Sequence, residues 1–363
     1  MKPSPTPDRG ISGLSEGPRA GLWPGLICKL PKPLLVVPMI VQWLALSLRY
    51  RSLSLPSAAD PMIHVGGLAG ESKIACFAQV GEAGRPWLAR TAAVLAGPDA
   101  AARAGAAMAA LGLDFPIIAK PDIGWCGFGV RRIDDLSALQ AYCDAYPAGE
   151  SLLVQEYLDQ PGEAGLFYVR HPDETRGRLL SLTVRSPPTV RGDGTRSLRD
   201  LLALDERLGG RTALYESAGL DRVPVAGTEV PLAAVWSYRM GGLYRDCSGE
   251  ITPALEERID AVATSMPCLH VARFDIRFAS LRELQQGDFR IIEINGAGSE
   301  AIEFFDPRVP FFTAYRGILA KQAMVFALAA RNRAAGFAPC GWRALLRAFR
   351  RQARLLDRYP ASN

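Results

Sequence analysis

Three oxygen-bearing side chains late in the chain are spaced for metal chemistry. Asp275 falls in the middle of the strand-like run ARFDIRF (272–278). Glu293 and Asn295 fall two apart in FRIIEIN (289–295), so they share one face of a second strand. Mg²⁺ prefers carboxylate and carbonyl oxygens together with phosphates. An acid inside an apolar strand is costly unless it is paired or metal-bound. The competing reading is a set of ion pairs, with Asp275 and Glu293 on Arg273, Arg277 or Arg290.

Lys120 closes a short apolar run, FPIIAKP (115–121). A loop bearing Gly124, Gly127 and Gly129 follows it. Glycines let backbone N–H groups approach a polyphosphate closely, and a lysine supplies point charge to its oxygens. An ordinary hairpin turn is the alternative. Gln155-Glu156-Tyr157-Leu158 forms a third group, with Glu163 seven residues after Glu156. A strand leading into a loop can offer backbone N–H and C=O to an adenine edge, and a carboxylate soon after can accept both ribose hydroxyls.

The order of these parts is more specific than any one of them. Lysine strand, glycine loop, glutamate hinge, second glutamate, then Asp275 and Glu-x-Asn resembles the ATP-grasp superfamily, and within it the D-alanine–D-alanine ligase-like carboxylate–amine ligases. The resemblance covers roughly Gly66 to Lys321. It implies an α+β ATP-grasp fold, with two α/β lobes whose mainly antiparallel sheets clamp ATP and with a reduced N-terminal domain. It implies ATP and Mg²⁺ (or Mn²⁺) as cofactors, and small-molecule carboxylate and amine substrates joined through an acyl phosphate. By this likeness Lys120 sits on the ATP phosphates, and Lys73 in Gly-Glu-Ser-Lys is the earlier ATP lysine. Glu156 to Leu158 match the adenine hinge, with Gln155 beside them as a further nucleotide-binding candidate, and Glu163 matches the ribose carboxylate. Asp275, Glu293 and Asn295 match the metal triad. Arg273 matches the arginine that steadies the transferring phosphoryl group, and Gly296-Ala-Gly-Ser299 the turn near the acceptor substrate. Arg191-Gly-Asp-Gly-Thr-Arg196, leading into Ser197, resembles a segment of cyanophycin-synthetase-type ligases; a capped helix after a tight turn reads equally well. The hinge departs from the family's pattern, with Tyr157 where a lysine is common. Two alternatives remain: an ATP-grasp kinase or thioester-forming enzyme, and a non-catalytic nucleotide-binding protein at a membrane.

The elements that must position these residues follow from periodicity. Ala100–Leu111 reads as a helix, and LLVQEYL (152–158) as a strand. Val130–Ile133 is strand-like, and Asp134 or Asp135 caps a helix running through Tyr146. GLFYVRHP and LLSLTVR form a hairpin around Glu174–Arg178. Pro310–Arg331 and Trp342–Tyr359 are helical, the latter with an apolar stripe between arginines.

The chain divides into residues 1–60, a flexible Pro-rich leader plus an apolar segment; 61–330, the ATP-grasp domain; and 331–363, a basic amphipathic C-terminal helix. At 48% hydrophobic and 22% charged residues it is globular. Its 363 residues suit about two domains. Three His and scattered Cys speak against a structural zinc site and for reduced thiols in a cytoplasmic protein. From Arg331 onward eight Arg face one acid, Asp357, so that of the net +5 this segment carries +7 and the remainder −2. A basic tail suits anionic lipid or an acidic partner; nucleic acid is not expected, and oligomeric state is left open. The run Leu34–Leu48 is short for a membrane span. It is read either as an interfacial helix at the inner face of the membrane or as a buried element of the fold.

Overall fold

Two larger antiparallel sheets, of four and five strands, carry most of the molecule, and a two-stranded one accompanies them. The computed structural model describes residues 32–205 and 207–363; the leader up to residue 31, with Cys28, lies outside them. The chain enters through helix α1 (Lys32–Tyr50). Helix α2 (Lys73–Ala78) follows, with Ser72 as its N-cap, its side chain accepting from Ala75 N.

The smaller sheet has the order β1-β4-β2-β3, from β1 (Thr91–Leu95), β2 (Ile117–Pro121), β3 (Arg131–Ile133) and β4 (Ser151–Glu156). Helices α3 (Ala100–Leu111) and α4 (Leu136–Ala145) pack on one face of it, burying Ala104, Met108, Leu139 and Tyr142 against Ile117, Leu152 and Val154. Asp135 caps α4 by accepting from Ala138 N.

The larger sheet has the order β11-β10-β5-β6-β9. Its strands are β5 (Gly162–Val169), β6 (Arg178–Ser186), β9 (Leu243–Asp246), β10 (Val271–Phe278) and β11 (Arg290–Asn295). Strands β5 and β6 form the expected hairpin. Between β6 and β9 lies a subdomain: β7 (Thr189–Arg191), α5 (Leu198–Leu204) and β8 (Glu229–Pro231), with a core around Leu198, Leu202, Tyr215 and Met240. The Arg191–Arg196 stretch within it is a tight turn into a capped helix. Asp193 accepts from Thr195 N and Arg196 N, and Ser197 and Asp200 form a capping box.

Every position of β5 is buried, because both faces of the larger sheet are covered. On one face Leu166, Leu182, Val184, Phe274 and Ile276 meet α6 (Pro253–Thr264), with α7 (Leu281–Gln285) alongside. On the other, α8 (Phe311–Ala334) lays Val325, Phe326 and Ala329 over Phe167, Val169 and Val271. The helix covers only that end of the face. The other end carries Glu163, Arg185, Asp275 and Glu293 and turns to the smaller sheet.

The apolar run is α1, with one side docked on the fold and the other exposed. Trp43 meets Phe326 edge to face at 5.0 Å, while Val37, Ile40, Val41, Leu44 and Leu48 are exposed. No helix among the described residues is long and apolar enough to cross a membrane. The C-terminal helix is α9 (Trp342–Leu356), docked through Ala348 and Leu345 on Val65 and Ala69.

Candidate active site

A cleft of about 2020 Å³ separates the sheets, and the residues singled out for nucleotide, metal and phosphoryl contacts line it except Gly129; of the Gly296–Ser299 turn only Gly298 and Ser299 do, and the Arg191–Arg196 stretch does not. Sheet register sets the wall on the larger sheet. Asp275 lies opposite Glu293, and Arg273 opposite Asn295. On the other side of β10, Arg277 lies opposite Glu163, and Glu163 lies opposite Arg185 on β6. Period-2 alternation puts all of these on one face.

Arg185, not singled out from the sequence, is the hub. It donates to Glu163 Oε1 at 3.1 Å and to Asp275 Oδ1 at 2.8 Å. Arg273 donates to both Asp275 oxygens, at 2.8 and 3.2 Å, and Arg277 lies 3.1 Å from Glu163 Oε2. Gly165, opposite Asp275, leaves room for this: a Cβ there would stand 3.3 Å from Asp275 Oδ1 and 2.6 Å from Ile302 Cδ1. Burial alone would raise the Asp275 carboxyl, but the guanidinium groups of Arg185 and Arg273 outweigh it and hold it below the usual range. The ion-pair reading thus holds for Asp275, on Arg273 and on the unforeseen Arg185; Glu293 meets Lys73 instead of an arginine, and Glu163, outside that reading, is paired as well. Among the described residues no group of three or more His, Cys, Asp or Glu stands ready to hold a metal. Glu163 has one arginine on each oxygen, which leaves a lone pair on each for a further donor such as a ribose hydroxyl.

Two lysines face this wall, Lys120 from the smaller sheet and Lys73 from the start of α2. Lys120 donates to Gln155 Oε1 and to the Ile292 carbonyl of β11, both at 2.8 Å, tying one sheet to the other. Burial lowers its ammonium to about 8, against the opposing pull of Glu293. Lys73 donates to the Asp122 carbonyl at 3.3 Å and stands 3.6 Å from Glu293 Oε1. Its neighbour Glu71 accepts from Gly296 N at 3.0 Å, and burial pushes its carboxyl up to about 7. Lys73, Lys120, Arg185, Arg273 and Arg277 lie among Glu71, Glu163, Asp275 and Glu293 on this part of the cleft, and their positive charge suits phosphate oxygens.

The hinge divides its labour. Gln155 Nε2 donates to Thr91 Oγ1 at 2.8 Å. The Glu156 carboxylate is a strut, 3.0 Å from Arg90 and 3.1 Å from Arg290. Burial would raise it; the Arg90 hydrogen bonds and the Arg290 charge bring it below its ordinary value. Tyr157 lies under the Arg132 guanidinium at 4.7 Å, and Leu158 lines the cleft.

The glycine loop is held from outside. Gly127 has a φ of +74° and Gly129 of +69°, conformations that glycine adopts without strain. A Cβ on Gly124 would stand 3.2 Å from Lys73 Nζ. Gln352 on α9 donates to the Gly124 carbonyl at 3.1 Å, Tyr359 to that of Ile123 at 2.6 Å, and Arg239 to that of Gly127 at 3.2 Å. The basic C-terminal helix therefore forms part of the site wall, which its amphipathic pattern alone did not say.

Asp275, Glu293 and Asn295 remain a hard-oxygen donor set in adjacent register, and Asn295 Nδ2 is buried without a hydrogen-bond partner. The set fits Mg²⁺ once Asp275 exchanges arginine contacts for the ion. The Gly296–Ser299 turn docks on the 66–71 segment, Ala297 N donating to Gly66 O at 3.2 Å, and the Ser299 hydroxyl is buried and unpartnered.

No protein-family model matches the chain, and no curated protein matches it significantly. Solved structures do. The chain is similar to a bifunctional glutathione synthetase from Pasteurella multocida (16% identity, TM-score 0.35, 66% of this chain, 34% of that one). It is similar to the VanG D-Ala:D-Ser ligase from Enterococcus faecalis (15%, 0.40, 72% and 62%) and to D-cycloserine synthetase DcsG (15%, 0.36, 71% and 67%). It spans about a third of the first and under two thirds of the second. These similarities are weak, and the reading of the site rests on its own geometry. The fold is α+β, with a four-stranded and a five-stranded antiparallel sheet facing each other across a cleft.

Proposed function

We propose that the protein is an ATP-dependent carboxylate–amine ligase. The observation that carries the reading is the meeting of Lys120, from the smaller sheet, and Lys73, at the start of α2, with the Asp275–Glu293 pair and Arg273 on adjacent strands of the larger sheet. Phosphoryl transfer is catalysed mainly by positioning and charge stabilisation, and this wall supplies both. The hinge backbone from Glu156 to Leu158 takes the adenine edge, and Lys73 and Lys120 take phosphate oxygens. Asp275, Glu293 and Asn295 would hold Mg²⁺, which would supply charge neutralisation to the phosphates. Arg273 stabilises the transferring phosphoryl group.

A substrate carboxylate oxygen attacks the γ-phosphorus and ADP leaves with the bridging oxygen. The amine nitrogen of the second substrate attacks the resulting acyl phosphate, phosphate leaves, and the nitrogen gives up a proton. No side-chain nucleophile is required. Asp275→Asn and Glu293→Gln, made separately, test the assignment. Each is expected to abolish ATP turnover while circular dichroism and thermal unfolding show the fold retained. Unchanged turnover in either variant overturns it.

A further inference from the structure

Helix α1 uses one side to dock and leaves the other bare. Its inner side is fixed: Gln42 donates to the Leu319 carbonyl of α8 at 3.1 Å, Trp43 donates to that of Leu53 at 3.1 Å, and Tyr50 stacks on Phe326 at 6.0 Å. On the outer side Val36, Val37, Ile40, Val41, Leu44 and Leu48 are exposed, from 45% at Val36 to 80% at Leu48. Scattered exposed aliphatics need no explanation, but a continuous stripe along a helix does.

The end of that stripe is basic. Arg49, Arg51 and Arg333 are exposed, and none of them forms an ion pair among the described residues. Arg333 reaches the same turn, donating to the Tyr50 carbonyl at 2.9 Å. Cys340 N donates to Ser57 Oγ at 2.8 Å, and Ser54 Oγ donates to the Cys340 carbonyl. These bonds place the start of α9, with exposed Trp342 and Arg343, beside exposed Leu53. No acid occurs between Lys32 and Asp60, and Asp60 is fully buried.

We infer that the outer face of α1, with the adjoining start of α9, is a docking surface for an anionic lipid bilayer. The helix lies in the interface plane, its aliphatic stripe in the acyl boundary and its arginines at headgroup level. Trp342 occupies the depth where aromatic rings concentrate. Charge decides this occupant: a stripe ending in several unpaired arginines, with no acid along it, complements anionic headgroups.

Flotation of the full chain with vesicles tests it. Binding is expected to phosphatidylcholine vesicles containing phosphatidylglycerol, weaker in high salt, and to be slight with phosphatidylcholine alone. The double variant Ile40→Ser/Leu44→Ser is expected to lower partitioning by about tenfold or more. Arg49→Gln/Arg51→Gln, which leaves the apolar stripe intact, is expected to remove the salt dependence. Thermal unfolding checks that each variant is folded. Protein left at the bottom with anionic vesicles overturns the inference. So does equal binding to both lipids, or a dimer in vesicle-free gel filtration that the Ile40/Leu44 variant dissolves, which would assign the face to a second copy.

Discussion

Arg185 Nη2 lies 2.8 Å from Asp275 Oδ1, and the same guanidinium reaches Glu163 at 3.1 Å. Without nucleotide, this arginine supplies positive charge between two acids whose proposed ligands are a cation and a ribose. Removing one partner of a buried pair leaves an uncompensated charge, which costs about 3–5 kcal/mol. Arg185→Met is expected to destabilise the nucleotide-free protein by that order. Mg-ATP should restore part of the loss, so its thermal shift should be larger in the variant than in the wild type. Differential scanning fluorimetry with and without Mg-ATP reads both quantities.

Lys120 gives a pH dependence. Its ammonium is lowered to about 8 by burial, so in the free protein it loses its charge as pH rises through that value. Phosphate oxygens favour the charged form and hold it once nucleotide is bound. The effect should therefore appear in kcat/KM for ATP, falling about tenfold per pH unit well above 8, while kcat stays flat. Lys120→Arg removes the fall, because guanidinium does not titrate there.

Glu71 gives a pH dependence of stability. Its folded-state carboxyl is raised from the ordinary 4.5 to about 7, mainly by burial, with Lys73 opposing and Glu293 and Asp60 adding to the shift. The folded state therefore binds the proton more tightly, and stability falls as pH rises from 4.5 through 7. Glu71→Gln keeps an acceptor for Gly296 N and carries no charge. Its melting temperature should exceed that of the wild type at about pH 8, by the equivalent of about 1–3 kcal/mol, and the gap should close near pH 5.

The C-terminal clamp predicts an effect on nucleotide affinity rather than on chemistry. Tyr359→Phe leaves the Ile123 carbonyl unpaired and Gln352→Ala frees that of Gly124. Each lost hydrogen bond is worth about 0.5–1.5 kcal/mol. KM for ATP should rise about two- to tenfold in each variant with kcat little changed; a loss confined to kcat contradicts the clamp.

The strands that carry the site were legible because polar residues recur at every second position of apolar runs: Arg273, Asp275 and Arg277 in one, Glu293 and Asn295 in the other. Arg185 obeys the same rule. Ser181, Thr183 and Arg185 alternate with Leu182 and Val184 in LLSLTVR, and that pattern was the available signal for it. What sequence could not supply was which acid each arginine meets, since that depends on register across three strands. The amphipathic pattern of α9 marked a helix with an apolar face. That Gln352 and Tyr359 reach the Ile123–Gly124 carbonyls depends on long-range packing, which leaves no local trace.

The most direct test is product analysis with Mg-ATP across amino acids, dipeptides and amine acceptors. A carboxylate–amine ligase releases ADP and inorganic phosphate in equal amounts, only when carboxylate and amine are both present, with a condensed product one water lighter than their sum. Asp275→Asn should abolish all three signals. A phosphorylated product without free phosphate, or ATP binding with no turnover under any acceptor mixture, would contradict the account.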